Sequence, residues 1–306
     1  MNAAARPRVT VIGLGSMGFG MAASLLRGGF EVTGCDVSAE AMTRFAGLGG
    51  RTAADPATAA QGAEVVVAVV VNASQTETVL LGPQGAVAAM APGGVVLSCA
   101  TMAPDAARAL AGRVAEAGRD YLDTPISGGA ARATSGELTI MGSGAPEVFA
   151  TVRPVLEAIA AKVYELGPEP GTGAAFKIVN QLLAGVHIAA ACEAMTFAKA
   201  MGLDLARVYE VITASAGNSW MFENRVPHIL DGDYAPRSAV NIFTKDLGIV
   251  TDIGRATSFP TPIAATALQL FVMTAAAGMG RDDDASVARM LAGLAGLDLP
   301  HAKGET

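Results

Sequence analysis

With 306 residues, the chain is long enough for two domains, each with a core of its own. Hydrophobic residues make up 51% and charged residues 16%, the formal net charge is −7, and no basic cluster occurs anywhere, which excludes a nucleic-acid partner. So apolar a composition also predicts that part of the surface pairs with further copies of the chain, as a homodimer or homotetramer.

The opening MNAAARPR carries positive charge but runs directly into VTVIG, without the apolar stretch and cleavage site of a signal peptide. In the first half, short β-branched runs then alternate with alanine-rich segments of helical period. Strands are predicted at 9–13, 31–36, 64–71, 94–99, 119–123, 137–142 and 162–167, with helices around GMAASLLRGG and PDAARALAGRVAEAG. Continuous Val/Ile runs, rather than strict alternation, belong to strands covered on both faces. Repeated strand–helix–strand units predict an α/β fold, a Rossmann-type doubly wound sheet over residues 1–170.

The first strand leads into the loop Gly13–Leu14–Gly15–Ser16–Met17–Gly18, and a helix follows. A GxGxxG match alone is weak in a chain with 36 glycines. Its position between strand and helix, with Asp36 closing the next strand, strengthens it. Gly13 makes the tight turn, Gly15 admits a pyrophosphate, and Gly18 lets helix pack on strand. The helix N-terminus offers N–H groups and partial positive charge to the phosphates. Asp36 is placed to accept from the adenine-ribose hydroxyls and to repel a 2′-phosphate. No arginine follows in VSAE, so the cofactor is predicted to be NAD.

Further on, Ser127, Gly128 and Gly129 follow a proline at a predicted strand end. A hydroxyl and backbone N–H groups in a small-residue loop suit a substrate carboxylate, and the spacing equally fits an ordinary Ser-Gly-Gly turn. After GPEPGTG (167–173) strand signals nearly vanish, and alanine- and leucine-rich segments predict an all-helical domain over 171–306. Its first helix is long enough to raise a transmembrane reading, but Lys177, Asn180, Gln181, His187 and Glu193 interrupt it too often. The expectation is a cytoplasmic protein with no membrane partner.

Lys177 and Asn180 lie one turn apart on a face of that helix. The pattern admits two positions for Lys177: snorkelling from a helix edge, or facing a cleft where desolvation and a nicotinamide cation bring it into acid–base range. The preceding GTG suits the second, since small residues let a helix end approach another backbone or a ligand. Three distant cysteines (Cys35, Cys99 and Cys192) suit a reducing compartment. With the histidines equally scattered, no metal site is predicted.

Together VTVIGLGSMG, DTPISGGAARATSGEL, GTGAAFKIVNQ and KDL (245–247) resemble, in order and over essentially the whole chain, the β-hydroxyacid dehydrogenases, a family related to 6-phosphogluconate dehydrogenase. The resemblance implies a small hydroxy-acid substrate, dimer contacts through the helical domain, and an active site in the cleft between the domains. It makes Lys177 the catalytic acid–base, Asn180 the residue holding the reacting hydroxyl, and Ser127, Gly128 and Gly129 the carboxylate site. Val71, Asn72 and Thr101 match positions bordering the nicotinamide. Lys245 matches one near cofactor or substrate, and a local ion pair is its other reading. The family's second asparagine is Gln181 here. In SAGNSWMFENRVPHILDGDY (215–234), Ser215, Asn218 and Ser219 beside Trp220 suit a polyhydroxylated acid better than a branched aliphatic one. Trp220 and Phe222 equally suit packing anchors at a helix junction. Imine reduction and non-catalytic NAD binding are the remoter alternatives, and the lysine counts against the first.

Overall fold

A computed structural model describes residues 6–301. The reading of MNAAARPR as no signal peptide and the polar C-terminal tail fall wholly or partly outside them. Strands β1 (Val9–Ile12), β2 (Val32–Cys35), β3 (Arg51–Thr52), β4 (Val65–Ala68), β5 (Val95–Ser98) and β6 (Asp120–Asp123) form one sheet of order β3-β2-β1-β4-β5-β6. Every pairing in it is parallel. Helices α1 (Ser16–Arg27), α2 (Ala39–Gly47), α3 (Pro56–Ala59), α4 (Ala73–Leu81) and α5 (Pro104–Glu116) alternate with the strands. Strand order reverses between β1 and β4, the position where such sheets open a crevice for ligands.

The Val/Ile runs explain themselves by period two. Val9, Val11, Val65, Val67, Val95 and Leu97 enter one core. The intervening Ile12, Val66, Ala68 and Val96 enter another on the opposite face. Each fully buried valine contributes roughly 1.5–3 kcal/mol, so polar residues on either face would be costly. Beyond β6 the chain makes a smaller sheet, β7 (Ile126–Ser127), β8 (Leu138–Gly142) and β9 (Ala160–Glu165), in that order, with α6 (Gly129–Ser135) and α7 (Pro146–Ile159) between them. β7 pairs antiparallel with β8, and β9 parallel.

The rest is helical: α8 (Thr172–Ala200), α9 (Leu205–Thr213), α10 (Trp220–Asp231), α11 (Val240–Ala256), α12 (Pro262–Thr274) and α13 (Val287–Ala295). Their core includes Ile188, Cys192, Met195, Val226 and Leu247, with Phe243 stacked on Phe271 at 5.2 Å. Packing divides the chain into residues 1–177 and 178–306, so the division falls inside α8. Ala174, in the first turn of α8, belongs to a core of the first unit.

Two helices are long and apolar enough to cross a membrane, 172–200 and 262–279. Half of the apolar window of the first is buried within the protein. All three cysteines are free and buried. Burial pushes the Cys35 thiol up to about 11 and that of Cys99 to about 12, and raises Cys192 as well.

Candidate active site

The glycine loop is built largely by its own packing. Gly13 has φ +95°, and a Cβ there would lie 2.3 Å from the Val69 carbonyl oxygen of the strand end beside it. A Cβ on Gly18 would strike the Gly13 carbonyl at 1.8 Å, so the first turn of α1 packs against the loop only because residue 18 has no side chain. Gly15 is different: a Cβ would meet nothing within 4 Å. Protein packing does not require glycine at 15, and the open space in front of it fits an approaching pyrophosphate. Ser16 is also exposed, Met17 half-buried, and Gly15 caps α1 with no side-chain hydrogen bond, so the first-turn N–H groups suit an anion. Leu14 buries its side chain and donates its N–H to Asp36 Oδ2 at 2.5 Å. Asp36 Oδ1 accepts from the Ser38 N–H at 2.7 Å. The carboxylate is thus fixed at the end of β2, with lone pairs left for ribose hydroxyls.

Of the positions matched to the nicotinamide border, Asn72 has a plain structural task. Its Oδ1 accepts from the Gln75 N–H at 2.8 Å and caps α4. Val71 is exposed and its N–H donates to Gln75 Oε1. Thr101 follows β5 and is half-buried.

Strand β8 organises the chemistry of the first unit. Its Thr139 pairs with Ser127, which is half-buried, and the loop beyond turns through Gly128 and Gly129 at φ +137° and +76°. Just after its end, Ser143 Oγ accepts from the Gly173 N–H at 2.9 Å. A Cβ on Gly173 would lie 2.3 Å from the Met141 carbonyl oxygen, so the GTG stretch allows the start of α8 to touch another backbone. Asp123, fully buried at the end of β6, completes this junction. Its Oδ2 accepts from Gly171 N–H at 3.0 Å and Ala174 N–H at 2.8 Å. The carboxylate therefore satisfies amide donors that open α8 and meets the positive end of the helix dipole. Burial nevertheless pushes its carboxyl up to about 6, against the pull of those hydrogen bonds. The sequence reading missed Asp123 in this role. The signal was an aspartate on an otherwise apolar strand, but its partners are 48 and 51 residues away.

One turn beyond Ala174 stands Lys177, with only 8% of its surface exposed, and Asn180 follows on the same helix face. In the second unit, Asn180 Nδ2 donates to Gln181 Oε1 at 2.9 Å, and Gln181 Nε2 donates to Asp246 Oδ2 at 2.5 Å. Lys245 Nζ lies 2.6 Å from Asp246 Oδ1, the local ion pair that is its other reading. Gln181 and Asp246 are both buried.

The stretch 215–234 spends its polar side chains locally. Ser215 Oγ donates to the Val211 carbonyl, Ser219 caps α10 by accepting from Phe222 N–H, and Asn218 Nδ2 donates to the Thr213 carbonyl and Glu223. Asn218 Oδ1 is buried without a hydrogen-bond partner. Trp220 is half-exposed, whereas Phe222 is buried and stacks on Tyr209 at 6.0 Å, which bears out packing for Phe222. Bidentate pairing of Arg225 with Asp284 and contact of His228 Nδ1 with Asp283 at 2.8 Å anchor α10, which makes up most of this stretch. Asn218 and Ser219 also edge an apolar cavity of about 790 Å³ lined by His187, Met201, Val208 and Phe222. That cavity includes neither Lys177 nor Asn180. Among the described residues no group of three or more His, Cys, Asp and Glu side chains is placed to hold a metal.

Residues 8–167 match the family described as the NAD binding domain of 6-phosphogluconate dehydrogenase. Residues 171–291 match that described as the NAD-binding of NADP-dependent 3-hydroxyisobutyrate dehydrogenase. The L-threonate dehydrogenase of Cupriavidus necator is 55% identical over 286 residues, covering 94% of this chain and 96% of its own. That of Escherichia coli K12 is 45% identical over 296 residues, covering 96% and 97%. A crystal structure of 3-hydroxyisobutyrate dehydrogenase from Salmonella typhimurium superposes with a TM-score of 0.89 at 44% identity, covering 93% of this chain and 100% of that one.

Proposed function

The chain belongs to the β-hydroxyacid dehydrogenase family, an NAD-binding group of oxidoreductases, and on that premise we propose that it oxidises L-threonate to the corresponding 2-oxo acid. The observation that carries the substrate is the full-length likeness to relatives named for that acid, at 45–55% identity. NAD, when bound, supplies the hydride acceptor. Ser127 Oγ with the N–H groups of Gly128 and Gly129 holds the substrate carboxylate. Asn180 holds the reacting hydroxyl, and Lys177 takes its proton at Nζ. In the reverse direction Lys177 returns that proton. The placement of Lys177 one turn past a helix start fixed by a buried carboxylate supports this role, because proton transfer needs a base held in position. Asn218 and Trp220 are proposed to meet the polyhydroxylated end of the acid. Val71, Asn72, Thr101 and Lys245 are proposed to border the cofactor.

The protein is proposed to act in the cytoplasm as a homo-oligomer. Phe176, Val179 and Leu183, each half or more exposed, form a stripe on α8 that supports association with a further copy.

Purified protein with NAD is expected to form NADH fastest with L-threonate, measured beside D-threonate, 3-hydroxyisobutyrate and glycerate. Faster turnover of 3-hydroxyisobutyrate would replace the substrate and favour the reading that the Salmonella typhimurium structure supports. Lys177→Ala is expected to lower kcat by about 10²–10⁴-fold while NAD still binds. Near-normal turnover of that variant would remove Lys177 from the mechanism.

A further inference from the structure

The loop of Ser127, Gly128 and Gly129 offers a substrate carboxylate one hydroxyl and main-chain N–H groups, and no charge. Of the charged side chains from 120 to 152, Asp120, Asp123, Glu137 and Glu147 are acidic, and Arg132 alone is basic. An anion drawn from water into such a stretch loses hydration that neutral donors restore only in part. The backbone places Arg132 beside the loop. Gly128 has φ +137°, and a Cβ there would lie 3.1 Å from Arg132 Cβ and 3.0 Å from its Cδ. The arginine stem therefore lies across Gly128, and the guanidinium begins one bond past that Cδ. The base of the side chain is fixed as well. The Arg132 carbonyl accepts from the Gly136 N–H and, at 2.8 Å, from the Glu137 N–H, which closes α6. The next residue, Ala133, is fully buried, and α6 packs so closely on α1 that a Cβ on Gly20 would lie 2.7 Å from the Thr134 nitrogen. Arg132 itself is exposed, so an entering ligand can reach it.

We propose that Arg132 is a further substrate-binding residue, whose guanidinium pairs with the carboxylate held by Ser127, Gly128 and Gly129. This rests on the reading of that loop as the carboxylate site. The neutral donors of the loop fix where the carboxylate sits, and Arg132 supplies the counter-charge. A guanidinium suits the task because its planar fork matches the two oxygens of a carboxylate. Gly128 then has two duties: it makes the turn, and by lacking a side chain it leaves the space across which the arginine stem lies. Since a carboxylate is common to all hydroxy acids, Arg132 selects the class of substrate and does not discriminate among its members.

The test compares KM for L-threonate, 3-hydroxyisobutyrate and glycerate in the enzyme saturated with NAD. An acid that is not turned over is measured as an inhibitor against one that is. Arg132→Met keeps a stem over Gly128 and removes the charge. It is expected to raise KM, or the inhibition constant, for every acid by about 10–100-fold, the size of hydrogen bonds to a charged group. KM for NAD and Tm should stay as in the wild type. Arg132→Lys, which restores the charge without the planar fork, should recover part of the loss. A loss confined to L-threonate would overturn the proposal, since Arg132 would then be reading hydroxyls and not the carboxylate. An equal rise in KM for NAD would overturn it too, as the mark of a general structural effect. Ser127→Ala checks the reading beneath. If it weakens every acid while Arg132→Met weakens none, this inference alone is lost. If Ser127→Ala is inert, the loop is not the carboxylate site and both readings go.

Discussion

Two buried carboxylates hold helix α8, one on either side of Lys177 along the chain, and they do so by different means. Asp123 meets backbone N–H groups and a serine hydroxyl, and so fixes the main chain where the helix begins. Asp246 meets an ammonium and a side-chain amide, and so fixes the direction of a side chain. The first kind of anchor meets its carboxylate with amide and hydroxyl donors, whose pull burial outweighs, raising its pKa to about 6. The second supplies a counter-charge. A base needs its backbone placed and a hydrogen-bonding amide needs its rotation set, and the two anchors answer those separate needs.

The sharpest way to break the first anchor is steric. Gly173→Ala drives a methyl group into the Met141 carbonyl, which cannot give way without disturbing β8. We expect a loss on the order of 4 kcal/mol in urea unfolding, with activity falling alongside. A variant of native stability would show that the helix start tolerates displacement and that the anchor is loose.

A smaller effect separates the anchors by charge. The folded Asp123 carboxyl, near 6, lies above its ordinary 3.8. Its contribution to stability is therefore complete below about pH 3.8 and is lost as pH rises through about 6. Relative to Asp123→Asn, the wild type should gain on the order of 3 kcal/mol between pH 7 and pH 4. A difference in unfolding free energy that stays flat over that range would mean that solvent or a cation relieves the carboxylate.

The least effect concerns the helix that carries the second anchor. Gly248 lies inside α11, and a Cβ there would meet nothing within 4 Å. Gly248→Ala should raise stability by about 0.5–1 kcal/mol, read as a higher Tm, without altering kcat. A fall in kcat would reveal that movement of α11 is part of turnover.

The sequence disclosed what is local and concealed what is long-range. Apolar runs located β1, β4 and β5, where burial on both faces leaves a continuous apolar signature, and shorter β-branched or apolar stretches located β2, β6, β8 and β9, the last of them largely exposed. β3 and β7 escaped, being two residues each with no period to detect. The glycine loop was legible since its spacing encodes its own turn. Asp123 and the Gln181–Asp246 contact were not, since their partners are 48 to 65 residues distant. Ser215 and Ser219 looked like substrate ligands by type alone, while their hydroxyls are occupied by helix ends, a use that any polar residue at such a junction invites.

The three buried thiols have a practical consequence. A thiol reagent reacts with thiolate that it can reach, and folded Cys35, Cys99 and Cys192 offer neither access nor ionisation. Modification therefore has to wait for the surrounding structure to part. Two of the sulfur atoms lie in the first unit and one in the second. Counting alkylated sites by mass against time, residue by residue, would clock the breathing of each unit in the same tube, with no label introduced by mutation.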